Sequence, residues 1–190
     1  MIAFLERRAD GRTVGTTFLA LIALLGAMNA ATTAFHDATG AGILNLLGAR
    51  SFLEPAPGGY SAEIAHSWLT AYGPDGRLNH LLILLLDVPL VLAMTAFTTL
   101  SLTYGIARPL RLRALAATVP LAGAALNYLE DIGVAVLLIS HPVRLDGLAV
   151  LLGGVNAIKS TAYTIALVTA LVALTAGLAR RRRRHGAAPD

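Results

Sequence analysis

Asp87, Asn127, Glu130, Asp131, Asn156 and Lys159 are the residues whose types and spacing could do chemistry, and all of them lie inside apolar runs. The stretch Asn127-Tyr128-Leu129-Glu130-Asp131 interrupts a segment from Ala114 to Ser140 that is otherwise mostly Ala, Leu, Val, Ile and Gly. An ionised carboxylate in such a setting costs about 2.5–3.5 kcal/mol even on lenient insertion scales, so residues of this kind are retained for a purpose. Three acids, Asp87, Glu130 and Asp131, outnumber the one intramembrane ammonium, Lys159. Crowded acids cannot all ionise, and a neutral acid beside an ionised one is what general acid/base chemistry needs. The same arrangement would serve a proton or cation relay. It would also suit a buried ion-pair network that fixes helix register, with Lys159 supplying the partner.

The elements that must position these groups follow from composition. The chain has 190 residues, of which 56% are hydrophobic and only 14% charged, with a mean hydropathy of +0.68. Soluble domains carry roughly 25% charge, so an integral membrane protein is expected. Four apolar stretches are long enough to cross a bilayer, at about 14–35, 80–104, 114–140 and 147–178, and a run of roughly 20 residues suffices. The first follows a basic start, yet it exceeds the roughly 7–15 residues of a signal core and lacks a cleavage pattern, so it is read as a membrane helix. The expected fold is all-α, a four-helix transmembrane bundle forming a single domain over 1–190.

Between the first two stretches, 36–79 is too polar to span and is read as an extracytoplasmic cap, broken at Glu54-Pro55-Ala56-Pro57-Gly58-Gly59. Within it, Ser61 is placed to cap a short amphipathic helix carrying Ile64, Ala65, Trp68, Leu69 and Tyr72 on one side. Gly73-Pro74-Asp75-Gly76 should stop that helix, and Trp68 and Tyr72 are interfacial belt residues. The fourth stretch is softened at Gly153-Gly154 and ends in a basic tail, 179–190.

Charge distribution sets orientation. Arg7, Arg8, Arg12, Arg108, Arg111, Arg113 and Arg180 to Arg184 fall on one side, against Arg50, Arg77 and Arg144 on the other. Both termini are therefore expected in the cytoplasm, with the protein in the inner membrane. The arginine run explains the net charge of +4 as a topology signal, and no nucleic-acid partner is expected.

Helical spacing then gathers the polar residues. Asp87 lies seven residues after His80, on the same helix face and roughly 10 Å along the axis. Asn127, Glu130 and Asp131 share a face of the third helix at i, i+3, i+4, as do Asn156, Lys159 and Tyr163 on the fourth at i, i+3, i+7. The first helix offers Asn29, Thr33 and His36. These stripes lie in the outer halves, while the inner halves read as almost purely apolar, so the expectation is a polar pocket opening outward. Glu130, Asp87, Asp131 and Lys159 are the candidate catalytic residues; Asn127, Asn156, Tyr163, His80 and Asn29 are the candidate substrate-binding residues. Taken singly, the asparagines also fit as interhelical hydrogen-bonding glue. No cofactor and no metal are expected: the chain has no cysteine, and its histidines show neither HxxxH nor HExxH spacing. Small residues of the third helix, Ala116, Ala117, Gly123, Ala124 and Ala125 among them, would permit a homo-oligomer.

Gly59-Tyr60-Ser61, Tyr72-Gly73-Pro74-Asp75-Gly76-Arg77, Asp87, a D-x-x-E-N-like stretch over 127–131 and the lone Lys159 together resemble a group of small bacterial four-helix membrane proteins of uncharacterised function. The resemblance covers about residues 59–165. In that group an aspartate would stand at Asn127 and an asparagine at Asp131, so amide and acid are exchanged here. The resemblance implies the four-helix fold and the importance of these positions. The function expected from the residues is acid/base catalysis on a membrane lipid or isoprenoid-like substrate. The alternatives are proton- or cation-coupled transport and a non-catalytic assembly subunit.

Overall fold

The apolar runs form helices longer than their hydrophobic cores, because polar residues at each end continue the backbone ladder. In the computed structural model, which describes residues 9–39, 60–106 and 110–186, these are α1 (Gly11–Thr39), α2 (Ala62–Gly105), α3 (Leu110–Ser140) and α4 (Asp146–Gly186). No strand occurs among the described residues. Each helix contains a segment long and apolar enough to cross a membrane. Leu19, Leu85, Ile139 and Ile158 are among many large apolar side chains left exposed, as a lipid-facing surface requires. The all-α, four-helix transmembrane expectation is met.

Caps define the helix starts. Asp10 accepts the Thr13 backbone N–H at 2.7 Å, and that bond holds its exposed carboxyl below the usual aspartate range. Ser61 Oγ accepts from Ile64 N at 3.3 Å, as its position in the sequence suggested. Of the five residues expected on one side of the following helix, Ala65, Leu69 and Tyr72 are buried and Ile64 is exposed.

Gly73 does not end the helix. It takes φ 65°, ψ 179°, a conformation available to a residue without a β-carbon, and the chain resumes helically at once. Arg77 Nη1 donates to the Leu69 carbonyl at 3.1 Å, satisfying an acceptor freed by the break. α2 therefore already includes residues 62–79, which the sequence reading had assigned to a cap. Residues 40–59 of that cap, Arg108, and the side chains of His36, Asp37, Arg111 and Arg113 lie outside what the structure describes.

The chain divides into two compact units. One takes residues 1–21, 92–124 and 162–190. In it Phe18 and Phe97 pack with ring centroids 5.4 Å apart, and Leu102, Ala170, Ala173 and Ile106 form a small core. Gly105 touches the α4 backbone so closely that a β-carbon would overlap Ala173 O. The arginines at the end of α4 are structural here: the Arg180 guanidinium donates to the Gly105 carbonyl, and Arg181 lies 4.1 Å over the Tyr104 ring. This unit is less apolar than expected, since Thr95, Thr98, Thr99, Ser101 and Thr103 are all buried. Thr98 and Thr103 hide their hydroxyls on the carbonyls of Met94 and Thr99, one turn back.

The second unit takes residues 22–91 and 125–161. Ile83, Leu90, Val134, Leu137, Leu138, Ala149 and Leu152 are buried in it. Gly133 abuts the Leu152 side chain, and the Tyr60 backbone lies against Gly153. Gly153-Gly154 does not soften α4, which is helical through both. Gly153 is instead a point of close approach.

Candidate functional site

The polar residues of the second unit form one connected network. Successive residues of an α-helix are about 100° apart, so adjacent Glu130 and Asp131 point in different directions. Glu130 is 1% exposed and turns toward α4, where Asn156 Nδ2 donates to its Oε1 at 2.7 Å and the Lys159 ammonium pairs with its Oε2. Asp131, half-buried, turns toward α2.

Asn127 joins the two directions. Its Oδ1 accepts from Lys159 Nζ at 2.9 Å. Its Nδ2 donates to Asp87 Oδ2 at 2.5 Å and to Asp131 Oδ2 at 3.0 Å. The charges fix this amide orientation, because reversing it would set an oxygen against two carboxyls and an N–H against an ammonium. Asp87 and Asp131 thus converge on one nitrogen. Two carboxylates so placed repel one another when both are ionised.

The sequence reading placed Glu130 with Asp87 as acid/base candidates, and in the structure these two acids meet different partners, Lys159 and Asn127. Lys159 matches Glu130 charge for charge at the buried end. The acid surplus rests on Asp87 and Asp131, both half-buried. Tyr128 Oη, beside them on α3, donates to the Val88 carbonyl at 3.1 Å.

His80 is one of the candidate substrate-binding residues. It is 1% exposed, with its ring 5.6 Å from that of Tyr72. Tyr60, also buried, is one residue that spacing did not single out for the site. Burial pushes its phenol above the usual range and the nearby Glu130 charge adds to the shift, so it remains a neutral hydroxyl. Its signal in the sequence was the aromatic residue just ahead of the Ser61 cap.

Asn29 and Tyr163 are two further substrate-binding candidates. The Asn29 side chain is exposed, and its carbonyl accepts from Thr32. Tyr163 belongs to the first unit, where its ring lies over Gly123. Among the described residues no set of three or more His, Asp or Glu side chains is arranged to hold a metal ion.

No protein-family model, curated protein or solved structure matches the chain. What the site can do rests on its own geometry: one buried ion pair, one bridging amide, and one half-buried pair of acids.

Proposed function

We propose that this integral membrane protein is an enzyme that performs acid/base chemistry on a lipidic substrate, with Asp87 and Asp131 as the proton-exchanging pair. The observation that supports it is the convergence of both carboxyls on Asn127 Nδ2. One acid holds the proton while the other accepts one, and a positioned pair of this kind contributes roughly 10²–10⁴-fold to a rate. Lys159, Glu130 and Asn156 act as positioning residues, since each reaches the pair only through Asn127. Exposed Leu85, Val88, Leu129 and Ile132 around the pair suit a substrate arriving from the bilayer. In this reading both termini are cytoplasmic and the protein resides in the inner membrane, as the arginine distribution favours.

The experiment compares whole-membrane lipid profiles of cells expressing the wild type, Asp87→Asn or Asp131→Asn, each at matched membrane levels. A lipid species should change with the wild type and revert in both variants. Identical profiles in all three would overturn the catalytic reading.

Proton- or cation-coupled transport is favoured by a separate observation. Thr95 Oγ1, Thr99 Oγ1 and Ser101 Oγ are buried and make no hydrogen bond among the described residues, and unmatched hydroxyls in hydrocarbon call for water. Proton flux in reconstituted vesicles, lost in Asp87→Asn, would decide for transport.

A further inference from the structure

One end of the first unit gathers arginines from two helices around a tyrosine of a third. The segments long and apolar enough to cross a membrane begin at Gly11 in α1 and end at Gly105 in α2 and at Arg181 in α4. In a bilayer, residues at the ends of such segments stand where hydrocarbon gives way to phosphate. Contacts draw the three helix ends together. Tyr104 Oη lies 3.6 Å from the place of a Gly11 β-carbon, the Tyr104 ring carries the Arg181 guanidinium 4.1 Å from its centroid, and Arg180 donates to the Gly105 carbonyl.

Charge at this end is one-sided. Arg12 follows Gly11 and is exposed, as are Arg180 and Arg181. Asp10 is the one acid among the described residues of this unit, and its Oδ1 already accepts from Thr13 N. A topology signal needs only the number of arginines near the span ends. Here two of them are also held in place, one by a hydrogen bond and one by a ring. A side chain fixed beforehand loses less freedom when it binds, and a guanidinium stacked by its face presents N–H groups in its plane, where a phosphate accepts them in pairs.

We propose that Arg12, Arg180 and Arg181, grouped about Tyr104, bind the headgroup of an anionic phospholipid. The occupant is a lipid because the arginines stand at the ends of apolar spans, and because Leu171 and Leu178, exposed at i and i+7 on α4, offer an apolar stripe to its acyl chains one turn before Arg181. The inference is independent of the acid/base reading, whose residues all belong to the second unit.

The test is native mass spectrometry of the full chain, released from detergent micelles holding equal amounts of phosphatidylglycerol and phosphatidylcholine, which counts bound lipids one at a time. The first lipid retained should be phosphatidylglycerol at least about fivefold more often than phosphatidylcholine, the advantage of roughly one well-placed arginine. Arg181→Gln should bring the two lipids within about twofold of parity, and so should Tyr104→Leu, which keeps every charge and removes only the ring under Arg181. Arg183, two residues further along α4 and so about 200° around the helix from Arg181, is the control: Arg183→Gln should leave the preference within about twofold of wild type.

Arg12 and Arg181 are exposed, so Arg12→Gln and Arg181→Gln decide the matter even if Tyr104→Leu fails to fold. Equal retention of the two lipids by the wild type would overturn the proposal. A loss in Arg183→Gln as large as in Arg181→Gln would also overturn it, leaving diffuse attraction to a basic tail. Displacement of phosphatidylglycerol by ammonium phosphate at constant ionic strength would do the same, making this a site for free phosphate.

Discussion

The Lys159 ammonium pairs with Glu130 and not with either member of the Asp87–Asp131 pair, reaching those two only through Asn127. A single cation thus neutralises one acid and leaves the other two without an ion-pair partner among the described contacts. Lys159→Met should strand the buried Glu130 charge and cost about 3–5 kcal/mol, while Lys159→Met with Glu130→Gln should recover most of that loss. Unfolding of the single and double variants in detergent, analysed as a double-mutant cycle, measures the coupling. Additive effects would show that the pair contributes nothing to stability.

Asp87→Asn should behave in the opposite way. It removes one of two competing acids and keeps an oxygen and a nitrogen for hydrogen bonding, so stability should change by no more than about 1 kcal/mol. In the proposed acid/base reading the proton exchange goes with it. Infrared difference spectra across a pH titration should show a protonated-carboxyl band in the wild type that disappears in Asp87→Asn. A band that persists unchanged would mean the shared proton is elsewhere.

Adjacent glycines in α4 should respond oppositely to alanine. A β-carbon at Gly153 would lie 2.6 Å from Tyr60 O and 2.8 Å from Tyr60 N, both backbone atoms that cannot swing aside. Gly153→Ala should cost about 1–3 kcal/mol through overpacking. At Gly154 nothing lies within 4 Å, so alanine should gain about 0.5–1 kcal/mol of helix stability. Thermal melts followed by circular dichroism distinguish the two.

His141 offers a pH response. Its ring stacks on His66 at 5.3 Å, and its Nε2 lies 3.2 Å from Thr70 Oγ1. Desolvation, then the Arg77 and His66 charges, hold its pKa below 6.5. An unfolded histidine therefore binds more protons than the folded one between that lowered value and 6.5. The stabilisation is fully present above pH 6.5 and is lost as pH falls through that window toward the folded pKa. Histidine NMR titrations should place His141 below 6.5 and move it upward in Arg77→Gln. A wild-type titration at or above 6.5 would refute the assignment.

The helices were legible because four apolar runs of bilayer length leave no other fold. Most members of the polar network, Asp87, Asn127, Glu130, Asp131, Asn156 and Lys159, were legible because polar groups in apolar helices need partners, whereas Tyr60 was missed and Asn29 turned out exposed. The wiring of the network was not legible. Helical spacing puts Asn127, Glu130 and Asp131 on one broad face, but only packing decides that Glu130 meets α4 while Asp131 meets Asp87. Ends were misjudged wherever a tertiary partner rescued a broken ladder, as Arg77 does across Gly73. The threonines of α2 escaped notice because a hydroxyl bonded one turn back leaves little mark on hydropathy.

The arginine run carries one more consequence. Arg180 closes the end of α2 on Gly105, and Arg181 covers Tyr104, so these side chains act as fasteners as well as topological labels. A charge-reversal experiment meant to flip the protein in the membrane would also unbutton two helices. Orientation is better probed by reporters fused beyond Gly186, with the fasteners left in place.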